Sequence, residues 1–183
     1  MKKLLPIILL LFFFGCKDNG YESPAPGTIE VRLNINRGSF VNTGNFNLTV
    51  QSLKIETTSG SYADIYDNIN AIRDNADSYN VLSDSEFVIG KMYLPPLSFT
   101  DLLLSVTPGD SMIYNNKFIS ITKPADFDAL CKLSLNTKIN SDQLTLVTIK
   151  CYIDSIFVKK IDHYEYRHKY SIQSIKQFSV IAN

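Results

Sequence analysis

Apolar and polar residues alternate through most of the chain. In TIEVRLNIN (28–36), Ile29, Val31, Leu33 and Ile35 share one face, and Glu30, Arg32, Asn34 and Asn36 share the other. That period of two predicts a half-buried strand. FNLTVQSLKIET (46–57) also alternates, but its apolar parity changes from Phe46, Leu48 and Val50 to Leu53 and Ile55. One extra residue near Gln51–Ser52, a β-bulge, would absorb the change. Further strands are predicted at EFVIGKMYL (86–94), SFTDLLLSVT (98–107), KFISIT (117–122), CKLSLNTKI (131–139), LTLVTIKCYIDSIFV (144–158) and HYEYRHKYSIQSI (163–175). Pro95–Pro96 close the first of these, and QFSVI (177–181) adds a last edge. About eight strands separated by turn residues predict a mainly antiparallel, all-β domain, either a two-sheet sandwich or a barrel.

One segment has a different period. In SYADIYDNINAIRDNADSY (61–79), Tyr62, Ile65, Tyr66, Ile69 and Ile72 recur at helical spacing. Ser61 with Asp64 three residues on resembles a capping box. A short amphipathic helix over 62–73, in an insertion covering one end of the sandwich, is predicted.

The N-terminus reads as an address. Lys2 and Lys3 precede an apolar run, Leu4 to Phe14, interrupted only by Pro6. Its eleven residues are too few for a membrane-spanning helix, which needs about 20. They suit a secretory signal peptide of residues 1–15 ending on the small Gly15. A cysteine directly after that glycine resembles the lipobox of bacterial lipoproteins, with Phe13 where the usual pattern has Leu. The resemblance implies cleavage before Cys16, a diacylglycerol thioether on its sulfur and acylation, palmitate for example, of the new amine. Several acyl chains make such an anchor effectively permanent. Residues 16–26, CKDNGYESPAP, have no hydrophobic period and read as a flexible tether. Lys17 and Asp18 resemble the export signals of Bacteroidetes lipoproteins, which implies an outer-membrane protein facing the cell exterior, with the periplasmic face as the alternative.

Removing residues 1–15 from the 183 leaves 168, of which 27–183 fit one domain. Two of the 18 basic residues leave with the signal, so the mature chain carries 16 against 18 acidic ones. A net charge of about −2 favours neither nucleic acid nor an anionic membrane surface.

Candidate chemistry is sparse. Asp64, Asp67, Asp74, Asp77, Asp84 and Glu86 are dense enough to consider Ca²⁺, with Asp74, Asp77, Asp84 and Glu86 the weak candidate ligands. They lack the regular spacing and turn glycine of an EF-hand, so a solvated face and loop is preferred and no metal is assigned. His163 and His168 lie five apart, on opposite faces of one strand, and no third ligand stands at zinc spacing. There is no G-x-S-x-G, no glycine-rich phosphate loop and no H-E-x-x-H. Cys131 or Cys151 with His168 could form a Cys–His pair, but both cysteines occupy apolar strand positions typical of inert thiols. No catalytic residue, no enzyme activity and no cofactor is assigned. Tyr164, Tyr166, His168, Tyr170 and Ile172 share a face; a sugar-stacking row is conceivable, but the alternate face is polar, so the row belongs in the core.

CKLSLNTKINSDQLTLVTIKC is symmetric about Ser141. If Asn140–Ser141–Asp142 is a hairpin tip, Leu135 faces Val147, Leu133 faces Ile149 and Cys131 faces Cys151, all on one side. Opposed antiparallel residues have Cα atoms about 4.5–5.5 Å apart, within disulfide reach. An oxidising compartment permits a Cys131–Cys151 bond.

Several stretches resemble an uncharacterised β-sandwich domain of unknown function found in Bacteroidetes-type bacterial lipoproteins. They are the bulged NLTVQSLKIE strand, the Leu-Pro-x-x-x-aromatic step at Leu94–Phe99 and the CYIDSI turn before a Tyr-rich strand, and the likeness covers most of 27–176. Pro96–Leu97 stand where that family has a small residue and glycine. The resemblance implies an Ig- or transthyretin-like two-sheet sandwich and brings no catalytic residues. Two functions fit an anchored sandwich. One is a non-enzymatic binding module for a glycan, host protein or partner protein, which should expose aromatic residues near 60–86 or 108–117. The other is an assembly subunit, fimbria-like or scaffold, that uses strand addition at a free edge or a terminal strand such as KQFSVIAN.

Overall fold

The computed structural model describes residues 23–40, 43–44, 46–65, 77–80 and 85–179. In chain order these form β1 (Gly27–Asn36), β2 (Thr43–Gly44), β3 (Asn47–Thr57), β4 (Tyr62–Asp64), β5 (Asp77–Asn80), β6 (Ser85–Leu94), β7 (Leu97–Pro108), β8 (Ser111–Tyr114), β9 (Lys117–Thr122), β10 (Leu130–Ile139), β11 (Gln143–Tyr152), the single helical turn α1 (Ile153–Ile156), β12 (Phe157–Lys159), β13 (Tyr164–Tyr166) and β14 (Tyr170–Ser179). The fold is an all-β, mainly antiparallel sandwich.

Its two main layers follow from the alternation. The first sheet has the order β14-β11-β1-β6, and the second β10-β7-β3-β4 with β5 also on β3. Ile29, Val31, Leu33 and Ile35 of β1 are fully buried, as are Val147, Ile149 and Cys151 of β11. Leu48, Val50, Leu53 and Ile55 of β3 and Leu102, Leu104 and Val106 of β7 join them in one core cluster. Each such side chain contributes about 1.5–3 kcal/mol when fully buried. The β3–β7 ladder skips Gln51, so the bulge lies where the parity change places it. Gly90 is held by packing: a Cβ there would collide with the Ile65 backbone and the Leu53 side chain.

The chain crosses from one layer to the other between β10 and β11. β10 pairs with β7 and β11 with β1 and β14, so residues 140–142 form an arch rather than a hairpin tip. The expected Cys131–Cys151 ladder pair is therefore not formed, and both cysteines are free thiols. The apolar pattern of a hairpin and of an arch is the same. Here β11 gains a strand partner on each side, β1 and β14, by joining the first sheet, and Asp142, at φ 52°, donates its N–H to the Pro26 carbonyl at 3.3 Å.

Three predicted elements also differ from expectation. Residues 62–64, the start of the expected helix, are strand β4, paired with Lys54–Glu56 across a turn at Thr57–Ser61. Tyr62 and Asp64 face solvent while Ala63 is half-buried, so the edge of β3 satisfies backbone groups that the helix would have used internally. The remainder of that helix, 66–73, lies outside the described residues. The described helix is α1, which breaks the predicted strand 144–158 by burying Ile153 and Ile156 together on one side. The predicted strand 163–175 is interrupted after Tyr166, where the chain leaves one sheet for another.

A third sheet, β12-β13-β9-β8-β2, closes one end. Because β1 and β11 run parallel, in register from Thr28↔Leu144 to Asn36↔Tyr152, both deliver the chain to that end. Gly27 and Asn140 meet at the other end. The ten residues of β1 separate the two ends by about 33 Å.

Candidate functional site

Two hairpins of the third sheet build a groove. β8 and β9 pair antiparallel through Tyr114↔Lys117, with Asn115 and Asn116 at φ 50° and 60° between them. A two-residue turn with both φ positive matches the twist of the flanking strands, and Asn tolerates it. β12 and β13 pair through Lys159↔Tyr164, and Lys160 N–H donates to the His163 carbonyl at 2.9 Å to close the loop. β13 runs parallel to β9 at Tyr164↔Ile121, which sets the hairpins side by side. Between them is a groove of about 300 Å³ lined by Tyr114, Asn115, Lys117, Ile119 and residues 159–164.

The groove wall is set from behind. Phe40, buried just after β1, packs 4.9 Å from Tyr114, 5.6 Å from Tyr164 and 6.0 Å from Phe157, centroid to centroid. Phe157 continues the contact to Phe46 at 5.1 Å. The two tyrosines of the groove are thus extensions of the core.

The charge in the groove is unbalanced. Among the described residues neither Lys117 nor Lys159 has an ion-pair partner, and Lys160 reaches Glu165 only at 3.5 Å. The one carboxylate of the lining, Asp162, is 2.6 Å from His163 Nδ1, and that hydrogen bond holds its pKa below the ordinary value. In the groove lining Ile161 is fully exposed, while Phe118, 77% exposed and paired with exposed Ile113, lies on the opposite face of the β8–β9 hairpin from Lys117 and Ile119.

A second cavity, about 400 Å³, lies between Pro124–Leu130 and Glu165–His168. His168 stacks on Phe127 at 4.9 Å and 21°, with Nδ1 3.4 Å from Tyr166 Oη. Burial pushes its pKa below the usual histidine value. Behind it Tyr166 and Tyr170 share a 2.7 Å hydroxyl–hydroxyl bond, and the Tyr170 side chain hydrogen-bonds the Cys151 thiol. Burial pushes that thiol up to about 12 and Cys131 upward also, so neither is an activated nucleophile.

The candidate residues of the sequence fall apart in space. Cys16, Asp67, Asp74 and Asp84 lie outside the described residues. Asp77 is on β5 in the second sheet, and Glu86 is on β6 in the first, 2.8 Å from Arg32 Nη1. Among the described residues no three His, Cys, Asp or Glu side chains are grouped to hold a metal, and no helix is long and apolar enough to cross a membrane. His163 lines the groove and His168 the second cavity. Of the tyrosine row, Tyr166 and Tyr170 are buried, while Tyr164 reaches the groove. Cys131 and Cys151 approach Tyr170 from different sheets, Cys131 through the Tyr170 backbone. The groove lysines were not singled out from the sequence. Their signals were the Asn115–Asn116 pair between two short apolar runs and the polar KKIDH (159–163) between β-prone segments.

No family model matches the chain, and no curated protein matches it. A crystal structure from Bacteroides ovatus, described as a "putative cell adhesion protein", aligns with a TM-score of 0.30 and 10% identity, covering 87% of this chain and 47% of that one. The chain thus spans about half the length of that structure.

Proposed function

We propose that the chain is a lipid-anchored, non-enzymatic binding module held to the outer membrane through Cys16, facing the cell exterior, which captures its partner in the groove between the two hairpins. One observation carries this reading. The tether joins the sandwich at Gly27, and the groove lies on the third sheet at the far ends of β1 and β11. A chain anchored at Cys16 would hold the groove away from the bilayer. The signal pattern 1–15 with Gly15–Cys16 supports the anchor. Within 108–117, where a binder should expose an aromatic cluster, Tyr114 alone is aromatic, and it lines the groove half-buried.

Two measurements test it. Cys16→Ser should shift the protein from the detergent phase to the aqueous phase, or leave it uncleaved; unchanged partitioning removes the anchor. Detergent-solubilised full chain should bind a ligand on an array of glycans and matrix proteins, and Ile161→Ser with Tyr164→Ala should abolish that binding. Binding untouched by these changes places the site elsewhere.

A further inference from the structure

We infer that the groove takes an anionic saccharide, a sugar chain carrying carboxylate or sulfate groups; this rests on the groove being the binding site proposed above. Charge comes first. Among the described residues Lys117 and Lys159, on adjoining hairpins, have no carboxylate partner, and Lys160 adds a third amine, paired with Glu165 at 3.5 Å. The single acidic group of the lining is turned to His163. Amines left unpaired in a concave surface raise the local concentration of anions and supply charge-assisted hydrogen bonds to them.

The walls choose among anions. Tyr114 and Tyr164 present half-buried rings fixed by Phe40, and Asn115 lines the tip. A rigid ring with a polar edge offers an apolar face to the C–H side of a sugar and a hydroxyl to its oxygens. The volume, about 300 Å³, is at the small end of small-ligand sites and suits a sugar unit rather than a folded partner's surface. An acidic peptide would dock best by adding to a free strand edge. β8 is paired to β9 and β2, but β13 meets β9 only at Ile121 and Thr122, so the groove side of β9 leaves a free edge of just four residues, Lys117–Ser120, too short to hold a peptide by strand addition alone. The chemistry on offer is chiefly ring stacking and amine–anion contact, and the polyglutamate comparison below reads any contribution from backbone pairing.

The test uses full-length, detergent-solubilised protein and four polymers: polygalacturonate, dextran sulfate, neutral dextran and poly-L-glutamate. At least one anionic polysaccharide should bind, at least about tenfold tighter than dextran or polyglutamate, and more weakly as salt rises. Lys117→Gln with Lys159→Gln should weaken that binding about tenfold or more while leaving the thermal melt unchanged, since both side chains are exposed. Equal binding of polyglutamate overturns the saccharide assignment in favour of an acidic peptide. Equal binding of dextran overturns the charge requirement alone, and the groove reading survives if Tyr164→Ala abolishes it. Absence of binding to both anionic polysaccharides, or binding indifferent to the lysine changes, overturns the inference.

Discussion

Phe40 lies with its ring centroid 4.9 Å from that of Tyr114, so a buried residue just after β1 fixes one wall of the groove. The same ring holds Tyr164 at 5.6 Å. Removing it leaves a cavity that the paired strands around it cannot collapse to fill. Phe40→Ala should therefore destabilise the fold by about 3–5 kcal/mol, read as a lower urea midpoint. Groove binding should weaken even at temperatures where the variant is fully folded. A loss of stability with ligand affinity unchanged would separate the wall from the site.

Gly38 and Asp154 form a second long-range contact. Ser39 donates its N–H at 2.9 Å to Asp154 Oδ2 and its hydroxyl at 2.8 Å to Oδ1, tying the end of β1 to α1. Gly38 has φ 53°, and a Cβ there would collide with the Asp154 carboxylate. Gly38→Ala should cost about 1–3 kcal/mol through strain and collision together. Combined with Asp154→Ala, the penalty should fall short of the sum, because the collision disappears with the carboxylate. A strictly additive cycle would refute the contact.

Glu30 supplies the pH dependence. It is 6% exposed on the outer face of the first sheet, 2.6 Å from Arg32 Nη2 and 3.2 Å from Lys91 Nζ. Burial alone would raise its pKa, but the hydrogen bonds from Arg32 and Lys91 outweigh it and hold the carboxyl below its ordinary 4.5. A lowered folded-state pKa contributes stability that is present above 4.5 and lost as pH falls through the folded value. Glu30→Gln should cost about 1–3 kcal/mol at neutral pH, with the gap to wild type closing as pH drops below about 4. A gap that stays constant in acid would mean that the loss is one of packing.

How much of this was legible in the sequence depended on the range of the interaction. The period-two faces of 28–36 and the bulge at Gln51 could be read because each is set by neighbours a few residues apart. The partner of each strand could not. Leu133 and Val147 have the same inward parity whether 140–142 is a hairpin or an arch, and only the preference of β11 for two flanking strands decides between them. Likewise Tyr62 and Ile65 fit a helix until the free edge of β3 is available to pair with 62–64. Tyr164 could be assigned to a buried face but not to a groove, because the groove exists only where β13 meets β9 in parallel. Lys117 and Lys159 are 42 positions apart, and no local pattern joins them.

The cysteines give a chemical check on the arch. Cys151 is fully buried with its thiol pushed up to about 12, and Cys131 is half-buried with its thiol raised as well. Iodoacetamide at pH about 8 should leave Cys151 unmodified in the folded protein and modify Cys131 slowly, and both should react once urea unfolds the chain. An intact-mass spectrum of the non-reduced protein showing a bridge between them would contradict the free thiols. Rapid native labelling of Cys151 would contradict its burial.

The central claim is that the two hairpins of the third sheet form the binding site, and affinity measured side by side on wild type and Lys117→Gln/Lys159→Gln tests it most directly. Full-length protein titrated with polygalacturonate and dextran sulfate should bind at least one of them at low salt, and the double variant, with an unchanged melting curve, should bind it about tenfold more weakly or not at all. Equal affinity of the two proteins for every anionic saccharide tried would contradict the account.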